Sequence, residues 1–395
     1  MIIKPKIRSN VFTNCHPLGQ EQYVLKQIAE AKEKDTFGNP INVLIIGGSS
    51  GYGLATRIAL AFGSNANTIN VCFESEPKGK RTGTAGYWNN IFFQKHTRKL
   101  NQTHKDFIGD AFSKEMKQDV IQYIKETFGK LDLVVYSLAS GARKDEKSGE
   151  LVRSAIKTIG ETAHGKTIDI AKKTVMPLSV EPASKPEIDD TVFVMGGSDW
   201  QTWLQELSDN NALNSGVKTI SYTYIGGETT QKIYRHGTLG KAKEDLEKTA
   251  DALNRFLKES YDGEALISSS KAVVTKASVF IPQMPIYVSC LFDVMSKQQT
   301  HESILAHKYR LFKDMVYGNQ AIQDGQGRLR IDHLEMQDAT QEKTKTLMET
   351  ISDEAIFDLK GTQLMLKDFY QANGFAFETI DYEQPVDIES LIKEA

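Results

Sequence analysis

Tyr234 and Lys243 form a Tyr-x8-Lys pair and are the residues of this chain best suited to acid–base chemistry. A tyrosine hydroxyl can give a proton or a hydrogen bond to an oxygen on which negative charge develops. A neighbouring ammonium group favours the phenolate, so Lys243 is expected to lower the pKa of Tyr234 by roughly 1–3 units. The alternative for such an isolated pair is that both are surface residues without a chemical role.

A glycine-rich segment directly follows the first strongly apolar run, residues 43–46. Glycines here allow a tight turn, a close approach of the backbone to a pyrophosphate, and close packing of helix on strand. The N-terminus of the next helix then faces the phosphates with its free N–H groups. The segment predicts a dinucleotide-binding site. Lys243 can also bind the nicotinamide ribose of that dinucleotide. Its residues are Gly47, Gly48, Ser49, Ser50, Gly51, Tyr52 and Gly53.

Glu74 is the residue that would select the cofactor. It comes at the end of the second predicted strand, 21 positions after Gly53. A carboxylate there accepts hydrogen bonds from both adenosine-ribose hydroxyls of NADH and repels a 2′-phosphate. Nearby Lys78, Lys80 and Arg81 keep NADPH as a minor option, and a solvated glutamate is the alternative. We expect NADH.

Strands and helices alternate along most of the chain, which predicts a parallel, doubly wound sheet of the Rossmann type in the α/β class. The strands are short, β-branched and bounded by turn residues. Predicted strands cover 42–46, 68–73, 131–136, 192–195, 217–222 and 265–269, and predicted helices cover 51–63, 113–128 and 239–258.

We expect one elaborated domain over residues 1–395 rather than two. Its core covers 41–300, after an N-terminal extension, and a helical C-terminal part covers about 300–395. Two insertions, at about 77–104 and 140–190, follow strands of the core. Insertions at the carboxyl ends of strands are where substrate sites are built.

Composition excludes several classes of function. A net charge of -3 argues against a general nucleic-acid binder. The three cysteines are far apart and the histidines show no ligand spacing, so neither a disulfide framework nor a metal site is expected. Neither an N-terminal apolar leader nor a run of roughly 18–20 apolar residues is present. We expect a cytoplasmic protein without a membrane partner.

A series of ordered motifs resembles one known family. They include Thr13-Asn14-Cys15-His16-Pro17, Gly83-Thr84-Ala85-Gly86, Met195-Gly196-Gly197-x-Asp199-Trp200 and the Tyr-x8-Lys pair. Over essentially the whole chain, the sequence resembles the trans-2-enoyl-CoA reductases and NADH-dependent enoyl-acyl-carrier-protein reductases, which are related to short-chain dehydrogenases.

The resemblance implies a role for each matching residue. Tyr234 would be the proton donor, Lys243 a ligand of the cofactor ribose, and Tyr224 the tyrosine that binds the substrate carbonyl. The remaining matches would bind the cofactor, around the adenosine, along a central strand and at the nicotinamide end. They are Phe73, Glu74, Asp110, Ala111, Leu138, Ala139, Val273, Val274 and Thr275.

The implied reaction is the NADH-dependent reduction of a trans-2-enoyl thioester, carried by coenzyme A or acyl-carrier protein, as the final step of the fatty acid elongation cycle. The resemblance suggests a monomer. A ketoacyl or other carbonyl reductase of the short-chain dehydrogenase type is the runner-up, and a nicotinamide-sensing regulator is a third reading. The apolar stretch 279–292 is expected either to wall an acyl channel or to form a plain buried helix.

One departure from the family concerns the aromatic residues that follow Gly86. This chain has Tyr87 before Trp88, whereas the family's order is Trp before Tyr, so neither ring is assigned to the site. Trp200 and Trp203, three apart on a predicted helix, are expected in the core.

Overall fold

The computed structural model describes residues 1–275 and 278–394, with the side chain of Phe280 outside the description. Its strands are β1 (Ile7–Arg8), β2 (Val11–Phe12), β3 (Asn42–Ile46), β4 (Asn67–Cys72), β5 (His104–Ile108), β6 (Leu131–Tyr136), β7 (Ala142–Lys144), β8 (Leu151–Arg153), β9 (Ala163–Asp169), β10 (Thr174–Val180), β11 (Leu213–Thr223) and β12 (Glu264–Ser269).

The helices connect and cover these strands. They are α1 (Pro17–Lys32), α2 (Gly51–Gly63), α3 (Ala85–Thr97), α4 (Lys114–Thr127), α5 (Lys185–Met195), α6 (Ser198–Asp209), α7 (Glu228–Gln231), α8 (Thr238–Tyr261), α9 (Met284–Lys297), α10 (Ile304–Arg310), α11 (Asp338–Thr350), α12 (Lys360–Gln371) and α13 (Ile388–Glu394), with a π-helical turn at Leu311–Val316 and 3₁₀ turns at Ser278–Phe280, Ile331–Leu334 and Ala355–Asp358. No helix in the described ranges is long and apolar enough to cross a membrane.

Six strands form one parallel sheet in the order β12-β11-β6-β3-β4-β5. Parallel sheets are covered on both faces, which is why β3 and β6 are almost wholly apolar and buried. The strand order reverses between β3 and β6, so the crevice at their carboxyl ends is the expected ligand site of a doubly wound sheet. The predicted fold class is confirmed.

The side chains of β3 alternate between two apolar cores. Val43 and Ile45 pack on one face with α1, α2, α3 and α10, whereas Leu44 and Ile46 pack on the other with α4, α6 and α8. This alternation follows from the two-residue period of a strand. Trp200 and Trp203 are fully buried in the second core, as predicted.

A third apolar cluster combines α9, α11 and α12 with Tyr224 and Tyr234. Residues 284–295 of α9 are buried without interruption. The apolar stretch 279–292 therefore supplies a buried helix that packs in the same cluster as the two tyrosines. Short antiparallel pairs, β1–β2, β7–β8 and β9–β10, lie outside the main sheet.

The predicted strand at 192–195 is wrong, because these residues are the last turn of α5. Four consecutive apolar residues fit a buried strand and a buried helix equally well. The deciding signal lies upstream, where Ser184 and Glu187 form a capping box and Pro186 occupies the first turn.

The stretch predicted as an inserted loop at 77–104 contains helix α3, which connects β4 to a strand that the sequence pattern did not reveal. This strand, β5, reads His-Lys-Asp-Phe-Ile and lies at the edge of the sheet, paired only with β4 among the described residues. Edge strands carry polar residues because one side faces water, so their apolar pattern is weak. The other predicted strands and helices agree with the structure to within about four residues at each end.

A buried ion pair fixes the loop after β5. Lys117 donates hydrogen bonds from Nζ to Asp199 Oδ1 at 2.8 Å and to the carbonyl oxygens of Ala111 and Phe112 at 3.1 and 2.7 Å. Tyr136 donates to the second carboxylate oxygen at 3.2 Å. Both charged side chains are almost fully buried, so each depends on the other.

Asp199→Ala is expected to lower the free energy of unfolding by about 3–5 kcal/mol, because it leaves the Lys117 ammonium buried without its counter-charge. Urea denaturation measures the change. Asp209→Ala, at the exposed end of the same helix, is the control and should change stability by no more than about 0.5 kcal/mol. Equal losses in the two variants would contradict this account of the pair.

Candidate functional site

The predicted cofactor turn is built by backbone contacts that only glycine permits. Gly47 has a φ of 95° and lies against the backbone of Ser137, where a side chain would overlap. A Cβ on Gly53 would overlap the carbonyl group of Gly47, so α2 packs directly on the turn. The Gly47 N–H donates to the Val71 carbonyl at 2.7 Å, which continues the pairing of β3 with β4.

The N-terminus of α2 opens toward this turn. Ser50 precedes the helix with an extended backbone, and its side chain makes no cap hydrogen bond to the described helix. Unpaired N–H groups and the positive end of the helix dipole favour an anion at such a position. Ser49 instead donates from Oγ to Glu74 Oε1 at 2.6 Å, which ties the carboxylate to the turn.

A cleft runs along the carboxyl edge of the sheet beside this turn. It brings together five of the predicted residues, Ser50, Gly51, Glu74, Val274 and Thr275. Residues of the N-terminal extension, of the start of α3 and of the end of α12 also line it, and no role was predicted for them. They are Phe12, Thr13, Asn14, Cys15, Tyr23, Gly83, Thr84, Ala85, Gly86, Asn89, Ala372 and Asn373.

The other predicted cofactor residues follow strands of the same sheet edge. Asp110 and Ala111 follow β5, and Leu138 and Ala139 follow β6. Phe73 follows β4 with 80% of its surface exposed, so its ring is free to contact a ligand. Tyr52 points from α2 toward the loop after β12, where its hydroxyl donates to the Lys271 carbonyl.

Tyr224 and Tyr234 meet edge to face, with ring centroids 4.9 Å apart and an interplanar angle of 86°. Tyr224 follows β11, and Tyr234 lies between α7 and α8. Burial raises the pKa of both hydroxyl groups, and for Tyr224 the nearby Glu335 carboxylate adds to the effect. Both tyrosines therefore hold their protons at neutral pH.

Lys243 projects from α8 to the end of β11, where its Nζ donates to the Tyr222 carbonyl at 3.2 Å. Burial lowers its pKa to about 8, and Glu247 opposes that shift. The expectation that Lys243 lowers the pKa of Tyr234 is not met, because burial dominates at the hydroxyl group and the opposing charge is Arg235.

Glu335 is a buried residue of this region that the sequence analysis missed. Its carboxylate oxygen Oε1 accepts hydrogen bonds from the hydroxyl groups of Tyr224 at 3.0 Å and Tyr287 at 2.7 Å. Burial raises its pKa to about 7. A single glutamate in a charged stretch 111 residues after Tyr224 carries no recognisable signal, because only the fold brings the two together.

Tyr87 and Trp88 are both buried in α3, and the Trp88 indole N–H donates to the Thr82 carbonyl at 2.6 Å. The exchanged aromatics are core residues in this chain. Within the described ranges, no three His, Cys, Asp or Glu side chains are grouped so that they could hold a metal ion.

Comparison with known proteins identifies the family of this chain. Residues 81–317 match the family model described as the trans-2-enoyl-CoA reductase catalytic region, and residues 2–79 match the NAD(P)H binding domain of trans-2-enoyl-CoA reductase. The chain belongs to the trans-2-enoyl-CoA reductase family. The family predicted from the sequence is thus confirmed.

Several relatives of this reductase family match over nearly their full length. An enoyl-[acyl-carrier-protein] reductase [NADH] of Coxiella burnetii is 44% identical over 99% of this chain and 97% of its own. A trans-2-enoyl-CoA reductase [NADH] of Clostridium acetobutylicum is 43% identical over 100% and 99%. Its crystal structure in complex with NADH superposes with a TM-score of 0.97 over 100% of both chains. The Treponema denticola trans-2-enoyl-CoA reductase in complex with NAD has a TM-score of 0.93 at 40% identity, over 98% of each chain.

A third family model, the enoyl reductase FAD binding domain, matches residues 323–386. The residues present in this chain do not fit a flavin. No described side chain of that segment has a buried nitrogen or oxygen without a hydrogen-bond partner. A Cβ on Gly361 would overlap the backbone of Ser289, so α12 packs directly on α9 and leaves no room for a ring system at that position.

Gly86→Ala is expected to weaken NADH binding by roughly 10- to 100-fold, the equivalent of the ~1.5–3 kcal/mol of a hydrogen bond to a charged group. The new methyl group would overlap the Glu74 carboxylate and displace it from Ser49. NADH fluorescence titration measures the affinity. Gly141→Ala, where a Cβ meets nothing within 4 Å, should bind NADH like the unchanged protein. Unaltered affinity in Gly86→Ala would show that the Glu74 position does not matter.

Proposed function

We propose that this chain reduces the C2–C3 double bond of trans-2-enoyl thioesters, with NADH as the electron donor. The observation that carries the proposal is the pair of buried, protonated tyrosines, Tyr224 and Tyr234, in contact with each other at the sheet edge that also carries the glycine turn. Membership of the trans-2-enoyl-CoA reductase family and the NADH named for its relatives support it.

The residues of the cleft fit NADH. The close backbone contacts at Gly47 and Gly53 leave a cradle without side chains for the pyrophosphate. The Glu74 carboxylate is the hydrogen-bond acceptor for the adenosine ribose. The Oδ1 of Asn89 is buried beside the turn and has no hydrogen-bond partner among the described residues. When bound, NADH supplies the hydride. Lys243 is assigned to its nicotinamide ribose, and Val273 to Thr275 are assigned to its nicotinamide end.

Tyr224 and Tyr234 are assigned to the thioester oxygen, on which negative charge builds during the reduction. Both hydroxyl groups are protonated and buried, so each carries a hydrogen that can be donated in a medium of low dielectric constant, and in this structure that of Tyr224 is directed to Glu335 Oε1. We assign Tyr234 as the proton donor and Tyr224 as the tyrosine that binds the substrate carbonyl. General acid assistance of this kind contributes roughly 10²–10⁴-fold to a rate.

The acyl chain is assigned to the apolar cluster of α9, which contains both tyrosines and most of residues 284–292. We propose that the enoyl group is carried by coenzyme A or by acyl-carrier protein, and that the protein acts as a cytoplasmic monomer without a nucleic-acid or membrane partner. A carbonyl reductase is the competing activity, because the same cofactor and tyrosine chemistry can reduce a ketone.

The loss of NADH absorbance with crotonyl-CoA tests the proposal. Rapid oxidation is expected with NADH and much slower oxidation with NADPH, since Glu74 would repel the 2′-phosphate. Comparing crotonyl-CoA with a longer enoyl thioester measures the chain-length preference of the acyl site. Comparing coenzyme A with acyl-carrier protein as the carrier of the same enoyl group measures the carrier preference. Oxidation with a 3-ketoacyl thioester alone would assign the chain to the carbonyl reductases, and no turnover of either would favour a sensor.

Tyr234→Phe is expected to lower kcat by roughly 10²–10⁴-fold and to leave the Kd for NADH nearly unchanged, because it removes the acid but not the cleft. Steady-state kinetics and fluorescence titration measure the two quantities. Tyr123→Phe is the control, since that ring packs on Phe107 and Phe128 at α4, away from the cleft. Full turnover of Tyr234→Phe would refute the assignment.

A further inference from the structure

Glu335 joins two loops of the candidate site through one carboxylate. Oε1 lies within hydrogen-bond distance of the Tyr224 and Tyr287 hydroxyl groups, and Oε2 accepts from the Ala272 N–H at 2.6 Å. Tyr224 follows β11, and Ala272 immediately precedes the Val273–Thr275 segment assigned to the nicotinamide end. The side chain is fully buried, so these protein groups are its immediate polar surroundings among the described residues.

The protonation state of Glu335 decides what Tyr224 can do. An ionised carboxylate only accepts, so the Tyr224 hydroxyl must give its single proton to Oε1. That proton is then not available to a substrate oxygen. When Glu335 is protonated, its O–H can donate to the Tyr224 oxygen, and the Tyr224 hydrogen is released to point elsewhere.

Gln341 fixes the direction of the hydrogen bonds on the other side. Its amide nitrogen, which can only donate, gives one hydrogen bond to the Tyr287 oxygen at 3.0 Å and one to the Glu335 carbonyl at 2.8 Å. The Tyr287 hydroxyl therefore accepts from Gln341 and turns its own proton to Glu335 Oε1. The chain of donors runs from Gln341 through Tyr287 and Glu335 to Tyr224.

We propose that protonated Glu335 is a positioning residue that donates a hydrogen bond to Tyr224 and so leaves the Tyr224 hydroxyl hydrogen for the substrate oxygen. The proposal rests on the proposed function, because it takes Tyr224 as the residue that binds the substrate carbonyl. No covalent bond is made or broken at Glu335. Its role is to set the direction of hydrogen bonds that the substrate then completes.

The surroundings of Glu335 place its titration near neutral pH. Burial raises its pKa to about 7, and Asp332 acts in the same direction. The hydrogen bonds from Ala272, Tyr287 and Tyr224 oppose the shift. Two further ionisable groups face it, the buried Lys271 ammonium and the Tyr52 hydroxyl. The protonated form predominates below pH 7 and is lost as the pH rises through that value.

The test is the pH profile of kcat with NADH and crotonyl-CoA. For the unchanged protein, kcat is expected to fall about tenfold between pH 6 and pH 8, in step with the protonated fraction of a group with a pKa near 7. In Glu335→Gln the amide nitrogen takes the place of Oε1 and can donate to Tyr224 at every pH, while the amide oxygen still accepts from Ala272. The Tyr287 hydroxyl group loses its acceptor at that position, because an amide nitrogen only donates. This variant should keep substantial kcat and lose the fall between pH 6 and pH 8. Glu342→Gln, an exposed position on α11, is the matched control and should keep the profile of the unchanged protein.

Tyr287→Phe provides a second measurement that does not depend on the folding of Glu335→Gln. The Tyr287 hydrogen bond holds the pKa of Glu335 down, so its removal should move the fall in kcat to higher pH. An unmoved fall in this variant would assign the titration to another group, for which Lys243 with its pKa of about 8 is the nearest choice.

The outcomes separate this proposal from the proposed function. If the unchanged protein reduces crotonyl-CoA and Glu335→Gln keeps the same fall, or if kcat of the unchanged protein does not fall, the positioning role is overturned. Loss of kcat in Glu335→Gln at every pH, with NADH binding and thermal stability retained, overturns it as well, because the ionised form is then the active one. If the unchanged protein reduces no enoyl thioester, the proposed function fails and the positioning role fails with it.

Discussion

The parallel pairing of six strands is the constraint on which the rest of this molecule depends. Parallel neighbours require a crossover after each strand, so all six carboxyl ends lie along one edge of the sheet. The glycine turn follows β3, Glu74 follows β4, Tyr224 follows β11 and Thr275 follows β12. Residues separated by more than two hundred positions are gathered at one edge, because each parallel neighbour must be reached by a crossover.

Burial determines the acid–base character of the groups at that edge. Desolvation disfavours the charged form of each of them, which raises the pKa of Tyr224, Tyr234 and Glu335 and lowers that of Lys243. The C-terminal helices α11 and α12 pack with α9 in the apolar cluster that contains both tyrosines. The segment 323–386 therefore packs against the two tyrosines, and its Glu335 accepts a hydrogen bond from Tyr224.

The sequence predicted the bounds of an element correctly where the element's own residues mark its start and its end. The bounds of β3, α2 and β6 agree with the prediction, because short β-branched runs end at glycines or polar turns and each helix has its own period. The prediction was wrong at 192–195 and missed β5, since a short apolar run does not distinguish helix from strand and an edge strand has a weak apolar pattern. The domain organisation and the roles of the site residues stay predictions.

By itself, the sequence determined the fold class, the glycine turn and the Tyr234–Lys243 pair, because each is encoded in residue types at short, fixed spacings, and its resemblance to known reductases indicated the family and Tyr224. Only the tertiary structure decided the direction of the Tyr234 pKa shift, since desolvation depends on what packs around a hydroxyl group and not on its neighbours in the chain. It also decided the burial of Tyr87 and Trp88 and the contact of Glu335 with Tyr224. Hydrogen bonds between distant segments leave no periodicity or motif in the sequence, so they can be identified only in the folded structure.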